Sequence, residues 1–91
     1  MEIQLDFNPI ENKEQLHMYL KQKLKLPDHY GSNLDALHDC LTERKNIEKI
    51  SIVHFDSLES KLGDYAGVLV QVFTDAGIIV TYEISDTHTT L

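Results

Sequence analysis

Three short strand-like runs, at residues 1–7, 50–55 and 78–84, are separated by long stretches whose apolar residues recur at helical spacing. This arrangement constrains the fold more than any other feature of the chain. The gaps are too long for hairpins. A helix between two strands returns the chain to the same end of a sheet, so the strands pair in parallel. If spatial order follows chain order, 1-2-3, two right-handed crossovers place their helices on the same side. The sequence therefore predicts a small, mostly two-layer α/β domain: a three-stranded parallel sheet of order 1-2-3 with helices packed mainly on one face. In the first run Met1, Ile3, Leu5 and Phe7 alternate with Glu2, Gln4 and Asp6, so the polar set belongs on the barer side of the sheet.

The intervening segments carry their own start and stop signals. Asn12 with Gln15 three residues on resembles a helix N-cap with its capping-box partner. Leu16, Tyr19, Leu20 and Leu24 continue at helical spacing, and Leu26-Pro27 ends the helix. Residues 29–33 read as a turn, with Ser32 or Asn33 capping a second helix over 34–44. Its apolar stripe is Leu34, Leu37 and Leu41, beside Ala36 and Cys40. Residues 57–62 predict a short helical turn capped by Asp56 or Ser57. Residues 65–76 predict a last helix through Val68, Leu69, Val72 and Phe73, closed by Gly77. The chain reads as one domain over residues 1–91 with a polar tail from about 85.

Composition removes several classes of function. Apolar residues make up 42 % and charged residues 25 %, values of an ordinary globular domain. No apolar run reaches the roughly 18–20 residues of a membrane helix, and the start of the chain lacks the basic and apolar regions of a secretory signal. One cysteine, Cys40, excludes an internal disulfide and Cys-rich zinc sites. The expected location is the cytoplasm. A net charge of −7 argues against direct nucleic-acid binding and favours a basic partner or plain solubility. The eight bases lie within residues 13–25 and 44–61, and residues 26–43 hold Asp28, Asp35, Asp39 and Glu43 with no base.

The second helix carries the most informative pattern. Asp35 and Asp39, four residues apart, share a face with His38 and Thr42 next to them. Like charges at this spacing oppose helix formation by about 0.2–0.5 kcal/mol. Asp35 gains from the first turn, whereas Asp39 lies mid-helix without that compensation. A solvated acidic face and a binding face both fit this pattern.

The stretch also resembles a known family. Leu26-Pro27, Tyr30-Gly31, Asn33-Leu34-Asp35-Ala36-Leu37 and Asp39-Cys40-Leu41-Thr42 are similar to barstar, the intracellular inhibitor of the ribonuclease barnase. Leu16-His17, Leu20-Lys21, Leu69 and Gln71-Val72-Phe73 extend the likeness over nearly the whole chain. The resemblance implies a barstar-like fold and a proteinaceous inhibitor that plugs a basic ribonuclease cleft with the second helix and the loop before it. Carboxylates would stand where RNA phosphates bind. It implies a contact set of His29, Tyr30, Gly31, Asn33, Asp35, His38, Asp39, Thr42, Glu43 and Asp75. Asp39 would be the central phosphate mimic, Asp35 its flank, Asn33 and Thr42 rim hydrogen-bonders and Asp75 a peripheral contact. The implied partner is a basic ribonuclease or ribonuclease toxin in a 1:1 complex, without cofactor, metal, nucleic acid or membrane.

Two family positions that usually carry aromatic rings hold His29 and His38 here, and the helix ends in Glu43-Arg44-Lys45 rather than glycine and apolar residues. Imidazoles gain charge near pH 6.5, so binding to a basic cleft is expected to weaken as pH falls from about 7.5 to 5.5. Other readings are weaker. An enzyme would have to use His29, Asp35, His38 and Asp39, yet no H-x-x-x-H pair or Cys–His set is present. Asp56-Ser57-Leu58 resembles a phosphopantetheine site but follows a strand-like run, where a turn or cap fits better. Cys40 reads as an inert core thiol, His17 and His54 as packing residues, and His88 as part of the tail. The alternative function is an acidic immunity or adaptor protein that masks the surface of a non-nuclease toxin.

Overall fold

The computed structural model describes residues 2–43 and 47–83. Its elements run β1 (Glu2–Asp6), α1 (Lys13–Lys23), α2 (Leu34–Glu43), β2 (Lys49–Val53), α3 (Phe55–Leu62), α4 (Asp64–Asp75) and β3 (Ile79–Glu83). The strands form one parallel sheet in the order β1-β2-β3, as the spacing predicts.

The register explains the two unlike faces. Ile3, Ile50 and Val80 align across the sheet, followed by Leu5, Ile52 and Tyr82. Leu5, Ile50 and Ile52 are completely buried against Leu16 and Leu20 of α1, Leu37 and Leu41 of α2, Leu58 of α3, and Leu69 and Phe73 of α4. The opposite face carries Val53 and Ile79 but is otherwise polar. Gln4 donates to Glu83 at 3.2 Å, and the Ser51 and Thr81 hydroxyls meet at 3.2 Å. β3 is an outer strand, so Tyr82 stays 56 % exposed despite its register, covered in part by an edge-on contact with Phe55.

Local chemistry sets the element ends. Asn12 caps α1 by accepting from the Gln15 N–H at 2.8 Å. The Gln15 side chain reaches back one residue further than a capping box requires and accepts from the Glu11 N–H at 2.8 Å. α1 closes before the Leu26-Pro27 stop. Lys25 adopts a left-handed φ of 56°, and the Leu26 N–H donates to the Lys21 carbonyl at 3.0 Å. The same closure recurs after α4, where Gly77 takes a φ of 86° and the Ile78 N–H reaches the Phe73 carbonyl at 3.1 Å. This is the six-to-one bond of a helix C-terminus, which needs a left-handed residue.

Three expectations need correction or restriction. The apolar run at 50–55 does not stay extended to its end: β2 stops at Val53 and His54 turns left-handed, with a φ of 63°. α3 starts directly at Phe55, so neither Asp56 nor Ser57 is its cap; the Ser57 and Leu58 N–H groups donate to the His54 carbonyl instead. Met1, Arg44, Lys45, Ile84, His88 and the polar tail lie outside the described residues. The His54 turn is fixed by its Nδ1, 2.8 Å from the Asp6 carboxylate. The Asn8 N–H, then His54, hold the Asp6 carboxyl below its ordinary range. A lowered folded value adds stability above the unfolded pKa of 3.8, lost as pH falls below it. Among the described residues, no helix is long and apolar enough to cross a membrane.

Replacing Asn12 with alanine strands the Gln15 N–H at an exposed helix start. The expected cost is about 1 kcal/mol in a urea titration, with an unchanged m-value.

Candidate functional site

The loop at residues 27–33 and the outer side of α2 form one continuous surface. The Tyr30 N–H turns back onto the Pro27 carbonyl at 3.0 Å, and Ser32 adopts a left-handed φ of 57°. Asn33 then starts α2: its Oδ1 accepts from the Ala36 N–H at 2.8 Å, and its Nδ2 donates to the Gly31 carbonyl at 3.2 Å. Asn33 is therefore the cap, and its side chain holds the loop and the helix together. Gly31 lies against that first turn; an added Cβ would meet Ala36 Cβ and Asn33 Nδ2 at 3.4 Å.

Leu37, Cys40 and Leu41 bury the inner face of α2. Asp35, Asp39 and Glu43 fall four residues apart on the outer face, and all three are exposed. Among the described residues, no cation pairs with any of them. The last turn of the helix contains no base, so Glu43 faces the unfavourable end of the helix dipole. His38 and Thr42 flank the stripe and are half-buried, and the Thr42 hydroxyl donates to the Asp39 carbonyl at 3.0 Å. His29 is exposed on the loop. Asp75 lies at the end of α4, the helix packed against α2, and accepts from Gln71 at 3.0 Å.

Tyr30 is placed differently from the rest of the set. It is 7 % exposed, and its hydroxyl bonds His17 Nδ1. His17, read from the sequence as a packing residue, is buried but polar in function: its Nε2 lies 2.7 Å from the Tyr65 hydroxyl. Tyr65 is the residue that sequence reasoning missed. The available signal was a buried imidazole, which needs a partner for each nitrogen; the identity of those partners depends on tertiary contact. The three rings meet edge-on or tilted, with centroids 5.8 and 6.1 Å from that of His17. Among the described residues, no group of three or more His, Cys, Asp or Glu is placed to hold a metal ion.

The surface presents exposed negative charge, unpaired among the described residues, on a helix whose start is anchored to the core. That arrangement suits a concave, cationic partner site.

Burial holds the His17 imidazole below its ordinary pKa of 6.5. The unfolded chain binds the proton more readily, so His17 adds stability above pH 6.5 that is lost as pH falls below it. The unfolding free energy of the wild type from urea titration is expected to drop from pH 7 to 5, by at most about 1.4 kcal/mol per pH unit for one group. His17→Gln should show a shallower drop.

Comparison with known proteins gives concordant results. The family model described as "Barstar (barnase inhibitor)" matches residues 1–87. A Bacillus subtilis (strain 168) protein named "Putative ribonuclease inhibitor YrdF" is 41 % identical over 73 residues, 79 % of this chain and 80 % of that protein.

Proposed function

The chain belongs to the barstar family, and from that premise we propose that it is a protein inhibitor of a basic ribonuclease, acting as an immunity protein in the cytoplasm of its producer. It binds one ribonuclease molecule and occludes the active site with α2 and the loop before it. It performs no chemistry and needs no cofactor. The name of the Bacillus subtilis relative supports this reading.

The observation that carries it is the exposed carboxylate stripe Asp35, Asp39 and Glu43 on a capped helix, with no cation among the described residues paired to it. A ribonuclease cleft gathers Arg, Lys and His to hold phosphates. Asp39, at the centre of the stripe, takes the position of the attacked phosphate. Asp35 and Glu43 extend the negative charge to either side. His29, His38 and Thr42 make the neighbouring contacts, Asn33 and Gly31 shape the rim, and Asp75 adds a peripheral charge from α4. Tyr30 contributes by anchoring the loop. A helix loses little entropy on docking, so more of the electrostatic attraction appears as affinity.

The test is binding to barnase and inhibition of its RNA cleavage, for the wild type and Asp39→Ala. Asp39→Ala is expected to weaken binding by at least about 30-fold, the loss of a central contact worth 2 kcal/mol or more. Its urea stability should stay within about 0.5 kcal/mol of the wild type, as for an exposed position. The wild-type association rate should fall as salt rises. Full inhibition by Asp39→Ala would contradict phosphate mimicry at this residue.

A further inference from the structure

His17 is 3 % exposed and engages both ring nitrogens, Nδ1 with the Tyr30 hydroxyl and Nε2 with the Tyr65 hydroxyl at 2.7 Å. The contact joins α1, the loop before α2 and the first turn of α4. The titratable and charged groups around it come from each of these segments. Tyr30 faces it from the loop and Tyr65 from α4. Lys13, one turn earlier on α1, sets its ammonium 4.4 Å from the centre of the Tyr65 ring. Cys40 of α2 is buried in the same core cluster as Tyr30. Among the described residues, no carboxylate bonds to the imidazole.

A neutral imidazole offers one N–H and one lone pair. Tyr30 is buried, so its hydroxyl hydrogen is satisfied by pointing at Nδ1. Nε2 then carries the ring hydrogen towards the Tyr65 oxygen, and the half-buried position of Tyr65 leaves its own hydroxyl hydrogen access to solvent. This assignment leaves no buried hydrogen stranded. A second proton on the ring changes it. Nδ1 then carries a hydrogen where the Tyr30 O–H already points, and the new cation has Lys13 as its nearby charge.

We propose that Tyr65 is a positioning residue for the loop at residues 27–33: through His17 it latches Tyr30, and protonation of His17 opens the latch. The inference rests on the assignment of that loop to the partner-binding face, and it concerns how the face is held and when it is released. The left-handed Ser32 and the Asn33 cap lie just beyond Tyr30, so freeing Tyr30 frees the start of α2. Burial already disfavours the protonated ring, which keeps the latch closed at neutral pH. Tyr65 thereby couples the binding face to the protonation of a buried imidazole.

Amide hydrogen exchange of the free protein, read by NMR at Tyr30 and at the β2 amides, tests this. At pH 7.5 Tyr65→Phe keeps the ring and removes only the hydroxyl. It is expected to speed Tyr30 exchange about tenfold and leave β2 exchange within about twofold, as a local opening does. In the wild type, Tyr30 protection corrected for intrinsic exchange should decline between about pH 6.5 and 5; His17→Gln, neutral throughout, should not show that decline. Equal acceleration at Tyr30 and β2 in Tyr65→Phe would make the contact merely stabilising and overturn the proposal. So would pH-independent Tyr30 protection in the wild type. Dissociation from barnase, measured on the same proteins, separates the two readings. Faster dissociation of Tyr65→Phe alongside faster loop exchange supports both. Absence of any barnase complex contradicts the barnase-like target, and the exchange data then decide the latch alone.

Discussion

Parallel pairing of three short strands is the constraint from which the rest of this structure follows. Strands that run the same way need crossovers, and here both crossovers are helical. With the strands in chain order, the helices collect over one face, where Leu5, Ile50 and Ile52 are fully buried. The other face is left more polar and more exposed. The consequence for function is positional. The first crossover is long enough to hold two helices, so α2 can pack its Leu37, Cys40 and Leu41 face inward and leave a whole side for a partner. A short domain with a single core gains a rigid, exposed helix in this way.

Within that frame, the departures from good local design gather on the loop and α2. Asp39 and Glu43 are anions in the middle and at the end of a helix whose last turn holds no base, and no cation among the described residues pairs with them. Each costs a few tenths of a kcal/mol. Ser32 is left-handed just ahead of the cap, without the freedom of a glycine. The structure holds this segment with the Asn33 cap on one side and the buried ring of Tyr30 on the other. Local strain and exposed like charge gathered on one segment are consistent with the proposed role of this surface in binding.

Much of this was legible in the sequence. The alternation from Ile3 to Phe7 named the buried face of β1, because a strand has period two and one covered side. Asn12 announced the start of α1, and Ser32-Asn33 bracketed that of α2, since an Asn side chain can take an orphan N–H that no backbone group can reach. Gly77 announced the end of α4 for the complementary reason. The errors arose where a pattern was cut short by a distant partner. Residues 50–55 are apolar throughout, but His54 pairs with Asp6, 48 residues earlier, and this contact turns the chain left-handed and starts α3 a residue after the strand. The candidate surface was legible through its charge pattern and its family resemblance. Its support was not, because Tyr65 meets His17 across 48 residues and nothing in the local sequence of either announces the other.

The central claim is that α2 fills the place of RNA in a ribonuclease cleft, and competition tests it most directly. Binding of a short, non-cleavable RNA oligonucleotide to catalytically silenced barnase would be measured by titration at increasing concentrations of this protein. Active-site blockade predicts strict competition: the apparent dissociation constant of the oligonucleotide rises in proportion to free inhibitor, with no plateau. A ternary complex in which the oligonucleotide binds undiminished would contradict it and would show that the acidic helix masks a surface away from the catalytic groups.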